Sequence, residues 1–265
     1  MATTTSKDGT TIAFDTTGDG PALVLVSGAF QDRRAMAAYA DPLSEHFTVL
    51  SYDRRGRGDS GDTQPYAIAR EVDDIAALID AAGGSAFVFG GSSGAALALD
   101  AVASGLDVPR LALYEPPFVV DDSRAPVPDS MVADLAALVA AERRGDAAEL
   151  YLTKGADLSA QEVEQMRAAP FWATGVEAAA PTLVYDAMIM DGTMRGLPLP
   201  TARWADVRVP TLVINGSKSY AWAGPAADAL ADLLPQAERV TFDGEQHQVL
   251  PATLAPLMVS FFLEN

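Results

Sequence analysis

The sequence predicts a doubly wound, mostly parallel α/β sheet carrying an inserted helical lid. Three observations predict it. Short apolar runs alternate with segments of helical period, as in a strand–helix–strand chain. Most of those runs are apolar at consecutive positions, which fits strands covered on both faces. One stretch of about ninety residues, from Pro117 to Asp206, breaks the alternation and reads as helices joined by turns; so long a connection must be a subdomain in its own right. The 265 residues, 49% of them apolar, are enough for one α/β domain with a large core. The expected division is a core of residues 1–116 and 206–265 with a lid of residues 117–205.

Taken in order, Thr11–Asp15 reads as a leading edge strand. The apolar runs Ala22–Val26, Phe47–Tyr52, Ala86–Phe89, Arg110–Tyr114, Pro210–Ile214 and Arg239–Phe242 read as the remaining strands. Ile68–Ala82 places Ile68, Val72, Ile75, Leu78 and Ile79 at helical spacing. Gly94–Ser104 is small and apolar, suited to close packing on a sheet. Pro225–Leu234 and Leu250–Leu263 complete the core helices. Within the insertion, Asp129–Arg144, Ala147–Leu152, Ser159–Arg167 and Ala178–Met190 read as helices.

Composition narrows the function. Eighteen basic residues against thirty-six acidic ones give a net charge of −18. Such a surface repels phosphate backbones and anionic lipid, so neither nucleic acid nor membrane is an expected partner, and neutral small molecules are favoured as substrates. The same charge also serves plain solubility. With no cysteine, disulfides, thiolate metal sites and thiol nucleophiles are excluded. Met1 to Gly20 is polar, without the apolar segment of a signal peptide, and no uninterrupted apolar run reaches membrane-spanning length, so a cytoplasmic location is expected. No residues show metal-ligand spacing, and no metal or cofactor is expected.

The segment AFVF-GGSSG-AALALDA is a strand, a tight glycine turn and a helix. Gly90, Ser92 and Gly94 fit G-x-S-x-G in the setting that gives the pattern chemical meaning. A serine on a strained strand-to-helix turn projects its hydroxyl above the sheet edge, and small residues two before and two after let strand and helix approach. Ser92 has glycine at both offsets; Ser93 does not. The Ser93 N–H, at the helix N-terminus, is then aimed to stabilise a developing oxyanion. Two other uses of the turn compete. It could cradle phosphate, although G-x-G-x-x-G and a P-loop lysine are both missing, or its serines could simply cap the helix.

Together with three further motifs in the same order, this segment resembles the α/β-hydrolase superfamily over nearly the whole chain outside the lid. Val24–Phe30 (VLVSGAF) stands where that family has a strand ending in His-Gly, Ser51–Gly61 (SYDRRGRGDSG) is similar to its D-x-R-G-x-G-x-S turn, and Gly244–Pro251 (GEQHQVLP) is similar to its late histidine loop. The resemblance implies Ser92 as nucleophile, His247 as base and the N–H groups of Ala29 and Ser93 as oxyanion hole. Only His46 and His247 are available, and His46 precedes a strand at the end opposite the expected active edge. Two departures stand out. His-Gly is Ser27-Gly28 here, and Ser219 occupies the place of the usual acid in Gly216-Ser217-Lys218-Ser219. Some relatives carry the acid one strand earlier, which points to Glu115 in YEPPF; Asp243 and Glu245 are weaker candidates, being too close to His247 in sequence to reach its far nitrogen.

These readings lead to a serine hydrolase cleaving a small neutral ester, lactone or thioester through an acyl-enzyme. Phe30, Phe171, Trp172, Tyr185, Met188 and Trp222, with Met190 and Met194, are the expected lining of an apolar or aromatic substrate pocket, although part of that set could equally be lid core. Two alternatives stay open: non-hydrolytic chemistry on the same scaffold, as a lyase, cyclase or transferase, and a non-catalytic ligand receptor, for which the serine at 219 is the best support.

Overall fold

The computed structural model describes residues 1–264. Eight strands form one sheet: β1 (Ala2–Thr5), β2 (Thr11–Thr17), β3 (Ala22–Val26), β4 (Thr48–Tyr52), β5 (Phe87–Gly91), β6 (Leu111–Tyr114), β7 (Thr211–Gly216) and β8 (Ala237–Phe242). Their order across the sheet is β1-β2-β4-β3-β5-β6-β7-β8. β1 and β2 pair antiparallel, as do β2 and β4; every other pair is parallel. The expected edge strand at Thr11 is therefore the second strand, and the true edge is β1, whose residues ATTT carry no apolar run.

The consecutive apolar residues of the central strands divide by period two between the two faces. Val24 and Val26 pack with Val88, Leu111 and Leu113 on one face, under α2 (Ile68–Ala81), α3 (Ser93–Ala103) and α9 (Ala223–Leu233). Leu23 and Leu25 pack with Phe89, Ala112 and Ile214 on the other, under α1 (Ala37–Leu43) and α10 (Pro251–Leu263). Helix α1 escapes sequence reading because it is only about two turns long, lacks a side-chain cap and contains Pro42.

Between β6 and β7 lie α4 (Met131–Ala140), α5 (Arg144–Leu150), α6 (Ala160–Arg167), α7 (Glu177–Ala179) and α8 (Leu183–Met190), with single π-helical turns at Tyr151–Gly155 and Trp172–Val176. The insertion has its own core, formed by Met131, Leu135, Leu152, Val163, Trp172 and Leu183 among others. Its two ends meet at a parallel bridge between Val119 and Met194. The returning chain is pinned to α3, where Asp100 accepts from Arg203 (2.9 and 2.6 Å) and from Trp204 Nε1 (2.9 Å). No helix among the described residues is long and apolar enough to cross a membrane.

Candidate active site

The site is built on the crossing of β5 and α3. Ser92 joins them with φ 55° and ψ −129°, a conformation that an L-residue adopts only when its surroundings impose it. The flanking glycines are those surroundings. A Cβ on Gly90 would lie 2.5 Å from the Gly94 carbonyl oxygen and 2.7 Å from Ala95 Cα; one on Gly94 would press against the Val26 carbonyl and lie 2.6 Å from that of Ser27. Only hydrogen at both positions lets α3 sit close enough to the sheet to turn the serine outward. The Ser92 N–H donates to the Tyr114 carbonyl (2.9 Å), tying the bend to β6.

The next strand brings a carboxylate. Glu115 follows β6, is 1% exposed and also has positive φ (45°). Its Oε1 accepts from the Gly216 N–H (2.7 Å), and its Oε2 accepts from Ser219 Oγ (2.6 Å) and lies 2.6 Å from His247 Nδ1. The other ring nitrogen, Nε2, is 3.2 Å from Ser92 Oγ. With Nδ1–H donating to the carboxylate, Nε2 is the acceptor for the serine hydroxyl. The serine at 219 thus occupies no vacancy: it is one of three donors that fix the relocated carboxylate.

Backbone contacts hold the histidine loop. The Gly216 Cα packs so tightly on Glu245 and Gln246 that no side chain fits, the Lys218 N–H donates to the Glu245 carbonyl (2.9 Å), and Tyr114 OH donates to the Gln246 carbonyl (2.5 Å). The two competing acids are committed elsewhere: Asp243 accepts from Ser217 (3.0 Å), and Glu245 accepts from the Leu250 N–H and Thr253 Oγ1 (3.1 and 2.9 Å). The rings of Tyr220 and Trp222 pack edge-on against His247, at 5.5 and 5.8 Å between centroids.

Gly28 lies directly against the bend, since a Cβ there would come within 3.0 Å of Ser92 Cβ. Ala29 and Phe30 follow it along the wall of the cavity above Ser92. Ser93 begins α3 without a side-chain cap, leaving its N–H outside the helical ladder. Behind these segments a buried carboxylate, Asp186 of α8, accepts from Ser93 Oγ (2.7 Å), Arg54 Nη1 (2.7 Å) and Arg57 Nη2 (2.6 Å). Burial alone would raise its pKa; the charges of Arg57 and Arg54 more than offset that and hold it below the ordinary carboxylate range. The D-x-R-G-x-G-x-S segment is otherwise structural: Asp53 accepts from the N–H groups of Arg33 and Asp59, and Arg55 pairs with Asp74 and Asp8.

The cavity over Ser92 and His247 has a volume of about 450 Å³, within the range of small-molecule sites. Among the described residues, no Asp, Glu, Lys or Arg lines it. Its tyrosines, Tyr39, Tyr114, Tyr151 and Tyr220, are all pushed above the ordinary phenol range, first by burial, and so present neutral hydroxyls. Of the expected lining, Phe30 and Trp222 face this cavity, as does Met194. Phe171, Trp172, Tyr185 and Met188 do not. Phe171 is 52% exposed, and Trp172 lies in the insertion's core with Nε1 donating to Glu177 (2.8 Å). Tyr185 stacks on Tyr66 at 3.8 Å and donates to Asp62 (2.8 Å). The reason is helical phase: α8 turns Asp186 toward the bend, so Tyr185 and Met188, about 100° and 200° away, point elsewhere. The wall is completed instead by Met36, which precedes α1, by Tyr39 of α1 and by Tyr151, Leu152 and Met166 of the insertion.

The bend makes its own stability prediction. Gly94→Ala should destabilise the protein by about 1–3 kcal/mol through overpacking against the end of β3. Urea unfolding should show the loss, whereas Gly175→Ala, where a Cβ meets nothing within 4 Å, should leave the midpoint nearly unchanged.

Comparison with known proteins agrees with this architecture. The profile of the Alpha/beta hydrolase family matches residues 23–256. An α/β hydrolase from Sphaerobacter thermophilus DSM 20745 is 52% identical in sequence, with a TM-score of 0.91 over 98% of this chain and 100% of that one. At the level of fold, the chain is also similar to an enol-lactonase from Burkholderia xenovorans LB400 (23% identity, TM-score 0.74, 99% of this chain and 100% of that one) and to a thermophilic esterase from Thermogutta terrifontis (22%, 0.68, 98% and 97%). The uncharacterized hydrolase YraK of Bacillus subtilis (strain 168) is 34% identical over 96 residues, a match spanning 35% of this chain and only about a third (35%) of the length of that curated relative. The chain belongs to the alpha/beta hydrolase family.

Proposed function

We propose that the protein is a serine hydrolase that cleaves a small uncharged ester, lactone or thioester with an apolar or aromatic part. One observation carries this reading: the run Ser92 Oγ–His247–Glu115, at 3.2 and 2.6 Å, opens into a cavity of about 450 Å³ free of formal charge among the described residues. In the proposed mechanism His247 Nε2 takes the Ser92 proton as Oγ attacks the carbonyl carbon. The Ala29 and Ser93 N–H groups hold the developing oxyanion, and Glu115 orients the ring and stabilises it while it is protonated. The imidazolium then protonates the leaving group. Water, deprotonated by His247, attacks the acyl-Ser92 ester and releases the acid.

The uncharged wall and the net charge of −18 both disfavour anionic substrates, which would shed their hydration without finding a counter-ion. The receptor alternative loses its main support, because Ser219 donates to the Glu115 carboxylate that stands beside His247 in place of an aspartate at 219. Phe30, Trp222 and Met194 are the proposed substrate contacts retained from the sequence, and a small molecule remains the proposed partner.

Two experiments test this. With p-nitrophenyl butyrate, turnover in ¹⁸O-water should place label in the butyrate and should vanish in Ser92→Ala. The monoanionic p-nitrophenyl succinate should react at least tenfold less efficiently in kcat/KM. Butyryl transferred to an acceptor other than water, leaving the acyl product unlabelled, would move the chemistry to the transferase class. Separately, Glu115→Ala should lower kcat on the order of 10⁴-fold. Because Ser219 Oγ sits 2.6 Å from the oxygen that faces His247, adding Ser219→Asp to that variant should recover at least tenfold by supplying a carboxylate from the loop after β7.

A further inference from the structure

We infer that Asp186 is a positioning residue for the oxyanion hole, one carboxylate of the insertion that orients both backbone segments supplying the hole's N–H groups. The inference rests on the acyl-transfer reading above.

The first segment is oriented through a peptide plane. The Gly28 carbonyl and the Ala29 N–H belong to one trans peptide unit and point in opposite directions. Arg57 Nη1 donates to the Gly28 carbonyl oxygen (2.6 Å) and to that of Gln31 (3.3 Å). Holding the carbonyl down fixes the N–H on the other side of the plane. Arg57 is held in turn by the insertion: its Nη2 donates to Asp186 Oδ2 (2.6 Å) and its Nε to Thr182 Oγ1 (3.1 Å). The preceding carbonyl, that of Ser27, accepts from Arg54 Nη1 (3.3 Å), which also donates to Asp186 Oδ1 (2.7 Å).

The second segment is anchored through a side chain. Ser93 Oγ donates to Asp186 Oδ1 (2.7 Å), fixing the residue whose N–H is the other oxyanion donor. Asp186 is fully buried, and its two oxygens serve both sides of the bend, Oδ1 through Ser93 and Oδ2 through Arg57. Charges balance within the cluster: Arg54 and Arg57 face Asp186 and Glu71, the latter clamping Arg54 from Nε and Nη2 at 2.7 Å each. Asparagine at 186 keeps the shape but offers one accepting oxygen, and its amide must face a guanidinium. Either Arg57 or Arg54 then loses its acceptor at residue 186, because a guanidinium can only donate, whereas the Ser93 hydroxyl can turn to accept from the amide.

The test uses Asp186→Asn, with active sites counted by complete fluorophosphonate titration so that unfolded protein does not enter kcat. With p-nitrophenyl butyrate, kcat per titrated site should fall about 10- to 100-fold while KM changes less than about threefold, since the hole acts on the transition state. Affinity for n-butylboronic acid, whose tetrahedral Ser92 adduct fills the hole, should fall in parallel. A purely structural role would lower the titrated fraction and leave both quantities unchanged. If Asp186→Asn does not fold, Arg57→Lys decides, because lysine keeps the charge but cannot hold Gly28 and Asp186 together. Wild-type kcat and boronate affinity per site in the folded variant would overturn the inference. Turnover surviving in Ser92→Ala would instead overturn the acyl-transfer reading beneath it.

Discussion

Ser92 holds a backbone conformation that costs on the order of 1–3 kcal/mol for a residue with a Cβ. It persists because β5 and α3 cross at Gly90 and Gly94, where any side chain would collide with backbone. That crossing is the constraint from which the site follows. It lifts the hydroxyl above the sheet edge, frees the Ser93 N–H at the start of α3, and brings Gly28 against the serine. The parallel order β3-β5-β6-β7 then sets the C-terminal ends of four strands side by side. The carboxylate after β6 and the loop after β8 need cross only short gaps to meet the serine.

The position of the Glu115 carboxylate shows how such a frame tolerates rearrangement. Glu115 and Ser219 follow adjacent strands, and their side chains meet at one oxygen atom. A carboxylate grown from either strand can occupy that point. Here the longer glutamate reaches it from the end of β6 and the serine in the loop after β7 becomes a donor, so the buried negative charge still receives three hydrogen bonds. What the histidine requires is a fixed acceptor beside Nδ1, and the fold supplies more than one route to it.

Much of this was legible in the sequence because strong local constraints wrote it there. The glycines around Ser92 record backbone collisions, and the consecutive apolar residues of β3 to β7 record burial on two faces. Glu115 could be placed because it follows a strand directly. Other features left weaker traces. Strand β1 is one alanine and three threonines, laddered to β2 and tied to α2 by Thr4 Oγ1 donating to the Ala77 carbonyl (3.3 Å), and α1 is too short to show a period. The cavity wall was misread because aromatic and methionine content does not fix helical phase: Tyr185 and Met188 share α8 with Asp186 and turn away from Ser92. A signal for that phase was present. The helix LVYDAMIM holds a single acid among apolar residues, which marks a buried carboxylate in need of cationic partners, and Arg54 and Arg57 answer it.

The account stands or falls on whether the hydroxyl at this bend becomes covalently acylated. Its most direct test is mass spectrometry of protein acid-quenched during turnover of p-nitrophenyl butyrate. The account predicts a mass increase of one butyryl group, confined to the peptide containing Ser92. Turnover with no adduct at any quench time, even in a variant with slowed deacylation, or an adduct on another residue, would contradict it.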